Sequence, residues 1–215
     1  MEVLQYLHRN QLTEQTRIIP LLDVVDGRLM VLPLRTPLLQ FLVFNTSDDD
    51  VVVLAVQFLE GVVCLHRSSV AHLDLKPDNI VVRRDPESKK VGLAIIDFDI
   101  AVFTDVEPTI SGSSGTSGWC APEVSEGESY DPLLADRWSC GRVLTFFTDR
   151  MKPSPLREKM RSLAQRLMDP DPSLRPPVQD ILKLYLQEMG GTLEPLKWKP
   201  GVDAKEEVRR KRKCV

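Results

Sequence analysis

The longest apolar stretch of the chain, VVVLAVQFLEGVVCL at 51–65, limits the folds that this sequence can adopt. Residues at helical spacing in this region are Val52, Val56, Leu59, Val63 and His66. The spacing predicts a long, largely buried helix, with an Asp at the end of the preceding NTSDDD (45–50) as its N-cap. Because Gln57 and Glu60 interrupt the stretch and it is too short to span a bilayer, we expect the helix inside a protein core.

The elements around this helix predict an α+β fold, with a small β portion first and a mostly helical body after it. The run 17–34 reads as two strands joined by a tight turn at Asp26-Gly27. NIVV and VGLAIIDF read as two more strands on either side of a turn-rich connection. Helices are predicted near 2–8, 133–149, 155–168 and 177–189. The Gly-, Ser- and Thr-rich segment 107–118 predicts a mobile loop.

Composition excludes several classes of protein. The 215 residues are 42% hydrophobic and carry a net charge of −3, which gives no general attraction to nucleic acid or to an anionic membrane. The four cysteines show no C-x-x-C spacing, and the N-terminus shows no secretion signal, so we expect reduced thiols and a cytoplasmic location. The basic tail RRKRK (209–213) is typical of a nuclear import signal, of a contact with an acidic partner, or of a solvated chain end, and these alternatives stay open.

The stretch VAHLDLKPDNIVV (70–82) places three polar residues at fixed spacing between two apolar runs. Asp74 can orient an attacking hydroxyl and accept its proton, Lys76 can neutralise a transferring phosphoryl group, and Asn79 can hold a metal ion without adding charge. The loop therefore indicates phosphoryl transfer. The alternative is a plain turn in which Asp and Asn bond their own backbone and Pro77 stiffens the loop.

A second acidic signal follows the next apolar run, in AIIDFDIA. Asp97 stands where a strand ends, as a carboxylate that binds Mg²⁺ would. It lies 23 positions after Asp74 (97 − 74), which is enough for a hairpin to return the chain to the same cleft. A carboxylate that merely caps a turn is the alternative.

Two further motifs, GTSGWCAPEV (115–124) and DRWSCGRVL (136–144), complete a set of four in order. Together with the loop and AIIDFDIA, they make residues 2–189 resemble a eukaryotic protein kinase domain. The DLKPDN form of the loop is similar to that of the serine/threonine kinases.

The resemblance implies a role for each matching residue. Asp74 would be the catalytic base, and Lys76 would support the γ-phosphate of ATP. Asn79 and Asp97 would hold Mg²⁺, and Thr116 would contact Asp74 and Lys76. The hinge that contacts adenine would contain Val31, Leu32 and Leu34. The structural residues of the family would be Glu123, paired with Arg175, and Asp136, which anchors the catalytic loop.

The chain also departs from the family pattern. Leu73 replaces the Arg that meets a phosphorylated activation loop, and Asp99 replaces the Gly of the metal-binding triplet. A Gly-rich loop and a VAIK-type Lys are absent, and Glu2 is not assigned as the partner of such a Lys. The sequence is therefore expected to be N-terminally truncated, with an N-lobe remnant and hinge at 1–34, a C-lobe at 35–190 and a basic tail at 191–215.

Three functions are compatible with these sequence features. The first is an ATP- and Mg²⁺-dependent serine/threonine protein kinase, acting on a protein substrate and impaired by truncation. The second is an inactive pseudokinase that serves as a binding or scaffold module. The third, a small-molecule phosphotransferase, would share the Asp/Asn loop, but GTSGWCAPE argues against it.

Overall fold

The computed structural model describes residues 2–9, 16–43 and 46–189. Within these ranges the helices are α1 (Glu2–Arg9), α2 (Leu38–Val43), α3 (Asp48–Arg67), α4 (Pro122–Ser125), α5 (Pro132–Thr148), α6 (Pro155–Leu167) and α7 (Val178–Glu188). The strands are β1 (Asp23–Val25), β2 (Leu29–Val31), β3 (Thr36–Pro37), β4 (Val70–Ala71), β5 (Ile80–Arg84), β6 (Val91–Ile95), β7 (Val102–Phe103), β8 (Ile110–Ser111) and β9 (Ser129–Tyr130). The α+β prediction is confirmed, as are the helices predicted near 133–149, 155–168 and 177–189.

The strands form small antiparallel sheets. β1 and β2 make the predicted hairpin, and both Asp26 and Gly27 have the left-handed φ angles, 51° and 65°, that a tight turn of this kind needs. β5 pairs with β6 from Ile80 opposite Ile95 to Arg84 opposite Val91, and β3 adds to the other side of β5. The β5–β6 hairpin brings the chain after β6 back to the start of β5.

The long helix α3 is buried along most of its length and packs against β6, α5 and α7. Its predicted N-cap is wrong, because the cap is Ser47, whose Oγ accepts a hydrogen bond of 3.1 Å from the Asp50 amide. The aspartates at 48–50 instead occupy the first turn, where negative charge is favourable beside the helix dipole. Among the described residues, no helix combines the length and the apolar character that crossing a membrane requires.

The polar residue in the middle of α3 explains how the helix meets the sheet. Gln57 is buried, and its amide donates to the Val91 carbonyl (3.0 Å) and accepts from the Leu93 amide (2.7 Å). One side chain therefore satisfies two backbone groups on the outer edge of β6. Further along the same edge, Ile95 exchanges backbone hydrogen bonds with Arg17 and Ile19.

Gly141 allows α5 and α6 to pack closely. A Cβ atom at this position would lie 2.7 Å from the Ala164 carbonyl oxygen and 2.6 Å from Cγ of Met168. Contacts this short do not occur, so a larger residue would push the helices apart. The glycine of DRWSCGRVL is thus required by packing.

We predict that Gln57→Leu lowers the free energy of unfolding by about 2 kcal/mol or more, because it leaves a buried donor and a buried acceptor of β6 unpaired. Urea denaturation followed by circular dichroism measures this change. The control is Gln165→Leu on the exposed face of α6, which should alter stability by less than about 0.5 kcal/mol. Equal stability of the two variants would contradict the bridging role of Gln57.

Candidate active site

The loop between β4 and β5 brings Asp74 and Lys76 together with a residue from much later in the chain. Lys76 Nζ donates to Oδ2 of Asp74 (2.7 Å) and to the Thr116 hydroxyl (2.6 Å). The Thr116 hydroxyl in turn donates to Oδ1 of Asp74 (2.7 Å). The three side chains form a closed triangle of charge-assisted hydrogen bonds, in which both carboxylate oxygens are held in place.

Asn79 fixes the same carboxylate from the other end of the loop. Nδ2 of Asn79 donates to the backbone carbonyl of Asp74 (2.9 Å) and to Oδ2 of Asp74 (3.0 Å). Oδ1 of Asn79 therefore remains as an acceptor. Burial of Asp74 acts to raise its pKa, but hydrogen bonds from Lys76, Thr116 and Asn79 outweigh burial and hold the pKa below its ordinary value. Asp74 is therefore an ionised acceptor at neutral pH.

Asp97 lies beside this group because of the β5–β6 hairpin. The Ile96 amide donates a hydrogen bond to the Asn79 carbonyl (3.0 Å), and Asp97 is the next residue along the chain. The Asp97 side chain is exposed, and its φ of 66° is left-handed, which is uncommon for a residue with a Cβ atom. A carboxylate and an amide oxygen at one sheet end are ligands of the type that Mg²⁺ accepts together with water and phosphate oxygens. Within the described ranges, no group of three or more His, Cys, Asp or Glu could hold a metal ion.

The loop between β4 and β5 is held by a buried carboxylate on α5. Asp136 is fully buried and accepts from the backbone amides of His72 (2.6 Å) and Leu73 (2.7 Å), and from the His66 ring (3.3 Å). Leu73 has a left-handed φ of 65°, immediately before Asp74. The two hydrogen bonds from the backbone amides to Asp136 stabilise this uncommon backbone conformation.

His72 connects the loop to the backbone directly before Asp97. Its Nε2 lies 3.0 Å from the Ile96 carbonyl, which can only accept, and its Nδ1 lies 3.3 Å from the Asp74 amide, which can only donate. These partners assign the proton to Nε2 and leave Nδ1 as an acceptor. His72 is thus a neutral structural residue, and its ring packs 4.9 Å from that of Phe98.

Glu123 and Arg175 form a bidentate ion pair, with N–O distances of 2.6 Å and 2.9 Å. Arg175 is 1% exposed and also donates to the carbonyls of Leu134 and Asp169. Because the Arg175 guanidinium bonds Glu123, Leu134 and Asp169 together, the pair joins α4 to the start of α5 and to the segment before α7.

Sequence reasoning missed Gly115. It has a left-handed φ of 76°, and a Cβ atom there would lie 2.5 Å from the Leu73 carbonyl oxygen. Only glycine lets the chain pass so close to the loop that carries Asp74 and place Thr116 on that residue. A glycine directly before Thr116 was the available signal.

The predicted hinge residues lie in β2 and directly after it. Val31 is in β2 and accepts a hydrogen bond of 2.8 Å from the Leu22 amide. Leu32 and Leu34 follow the strand, and Leu34 is 93% exposed. Their contact with adenine stays a prediction.

The cysteines described by the structure, Cys64, Cys120 and Cys140, are free thiols. Burial raises the pKa of Cys140 well above its usual value, so it is an inert thiol of the core. Cys120 is half-buried, with its Sγ 3.2 Å from the Ser125 hydroxyl. The basic run at 209–213 and Cys214 lie outside the described residues.

The sequence is similar to those of known protein kinases. The family model "Protein kinase domain" matches residues 13–169. CBL-interacting protein kinase 20 from rice is 28% identical over 163 residues, which are 65% of this chain and 35% of that protein. Sperm motility kinase 2B from mouse is 32% identical over 157 residues, or 63% and 31% of the two chains. The probable serine/threonine-protein kinase HSL1 from yeast is 30% identical over 148 residues, 59% of this chain and 10% of that protein.

The chain therefore spans about a third of the length of the first two relatives and a tenth of the third. The family model covers well over half of the 215 residues, and the α+β architecture agrees with it. The chain belongs to the protein kinase domain family.

Proposed function

We propose that this chain catalyses the ATP-dependent transfer of a phosphoryl group to serine or threonine hydroxyls of a protein substrate. The observation that carries the proposal is the closed network of Asp74, Lys76, Asn79 and Thr116. Phosphoryl transfer depends on positioning and electrostatics, and this network supplies both for a hydroxyl and a phosphate.

Asp74 would orient the attacking hydroxyl and take its proton. As the hydroxyl oxygen forms its bond to the γ-phosphorus, the bond to the bridging oxygen breaks and ADP leaves. Because its pKa is lowered, Asp74 is ionised before the substrate arrives, so it accepts a hydrogen bond from the hydroxyl at once. Lys76 would balance the charge that develops on the phosphoryl oxygens.

Asn79 and Asp97 would hold Mg²⁺ through Oδ1 and a carboxylate oxygen. The metal, when bound, neutralises charge on the phosphates of ATP. Val31, Leu32 and Leu34 would contact the adenine ring by the same family resemblance. In this proposal residues 1–34 belong to the N-lobe and hinge, 35–190 to the C-lobe and 191–215 to the tail. The protein acts in the cytoplasm, with nuclear import as an alternative.

The first prediction concerns Asp74→Asn, which keeps the size of the side chain and removes the base. We expect the rate of phosphoryl transfer from radiolabelled ATP to a generic protein substrate to fall about 10²- to 10⁴-fold. The matched control is Asp180→Asn, which removes an exposed carboxylate of α7 that forms an ion pair with Lys183, and it should leave the rate unchanged. Equal rates for the wild type and Asp74→Asn would contradict the proposal.

The second prediction separates a kinase from a pseudokinase. Mg²⁺-ATP at a hundredfold excess over its dissociation constant should stabilise the chain by about 2.7 kcal/mol, and Asp97→Ala should abolish this gain. Thermal melting with ATP, with and without Mg²⁺, measures the effect, and Asp105→Ala, an exposed carboxylate later in the chain, is the control. A cooperative melt that does not respond to Mg²⁺-ATP would instead support a non-catalytic binding module.

The third prediction concerns Leu73. Since an apolar residue stands where the family has an Arg that meets a phosphorylated activation loop, transfer should not require phosphate on 99–123. Treatment of the chain with a protein phosphatase, followed by its removal, should leave the transfer rate within about twofold of the untreated rate. A tenfold or larger loss on dephosphorylation would contradict this expectation.

A further inference from the structure

A second, smaller hydrophobic core lies beneath the segment that carries Thr116. Its buried members are Ala71, Leu73, Ala121, Val124, Tyr130 and Ala135. Val102 and Ile110 pack against it from residues 99–123, which by the family resemblance are the activation segment. The side chain of Leu73 thus contributes to an apolar cluster at the position where the family motif places a cation.

A pair of short strands connects the activation segment to this second core. β8 pairs with β9, with Ile110 opposite Tyr130 and Ser111 opposite Ser129. The Gly112 amide continues the pairing to the Gly127 carbonyl at 3.3 Å. The strands are only two residues long, so their backbone bonds alone give weak support.

A side-chain hydrogen bond extends this support toward the catalytic residues. The Tyr130 hydroxyl lies 2.9 Å from the Ser114 hydroxyl, and Tyr130 is 4% exposed. If Tyr130 only filled space in the small core, phenylalanine would serve equally well, because the hydroxyl adds no apolar area. A buried tyrosine hydroxyl costs stability unless it is hydrogen-bonded, and here Ser114 is its partner.

Ser114 lies two residues before Thr116. Between them, Gly115 passes against the Leu73 carbonyl, and Thr116 then bonds both Asp74 and Lys76. A displacement of Ser114 would therefore be transmitted through one tightly packed glycine to the hydroxyl that orients the Asp74 carboxylate.

We propose that Tyr130 is a positioning residue of this site. Through Ser114 it holds the Thr116 hydroxyl on Asp74 and Lys76, and together with the apolar cluster around Leu73 it orders the activation segment without a phosphate. The kinetic part of this proposal rests on the proposed function. The structural part does not.

The test compares Tyr130→Phe with Tyr185→Phe in the purified chain. Each variant removes one buried tyrosine hydroxyl, but that of Tyr185 donates to the Met160 carbonyl (3.2 Å) at the contact of α6 and α7. Hydrogen exchange of a peptide covering 112–118 reports on the segment whether or not the chain is active. We expect exchange there to rise about fivefold in Tyr130→Phe and to stay unchanged in Tyr185→Phe.

The transfer rate is the second readout. Tyr130→Phe should lower kcat about fivefold and change the dissociation constant of Mg²⁺-ATP by a smaller factor, because the tyrosine acts through Thr116, which bonds the proposed base Asp74 as well as Lys76. Ser114→Ala should have the same effect, and the double variant should be no worse than either single one. Ser114→Thr, which retains the hydroxyl, should restore both readouts.

The possible results separate the positioning role of Tyr130 from the proposed function. If Tyr130→Phe and Tyr185→Phe give the same exchange at 112–118, or if the two single effects add in the double variant, the positioning role is wrong. If the wild type transfers no phosphate but Tyr130→Phe still raises exchange at 112–118 selectively, the proposed function fails and the role of Tyr130 in ordering the segment stands.

Discussion

The buried carboxylate of Asp136 is the interaction on which the candidate site depends. A charge without solvent is stable only if its hydrogen-bonding capacity is satisfied, and here two backbone amides and one imidazole satisfy it. The amides belong to His72 and Leu73, so the requirement of one buried charge fixes the backbone immediately before Asp74. Leu73 accordingly keeps a left-handed backbone that it would rarely adopt alone.

A second constraint comes from α3, whose apolar surface must be covered on several sides. Helices α5 and α7 cover part of it, and β6 covers another part through the bridging amide of Gln57. The same strand ends at Ile95, two residues before Asp97. The packing of the core helix and the position of the candidate metal ligand therefore have a common cause: both require β6 to lie where Gln57 can reach its edge.

Much of the secondary structure could be predicted from the sequence, because the patterns that indicate it are local. The hairpin at Asp26-Gly27 follows from residues that tolerate positive φ, and α3 follows from its periodic apolar residues. The N-cap was misassigned to an aspartate because Ser47, Asp48 and Asp50 are all good caps, and only the start of the helix decides among them. The segment 107–118 was expected to be a mobile loop, yet Ile110 and Ser111 pair with β9.

The sequence by itself determined the residue types that phosphoryl transfer requires and their order along the chain, since a short loop with fixed spacing needs no distant partner to be recognised. Only the tertiary structure decided that Thr116 closes the triangle with Asp74 and Lys76, that Gly115 must lack a side chain, and that Tyr130 reaches Ser114. These contacts join residues up to 42 positions apart, and their geometry depends on how the helices pack around α3. No local pattern encodes such distances, because each arises from the packing of the whole core.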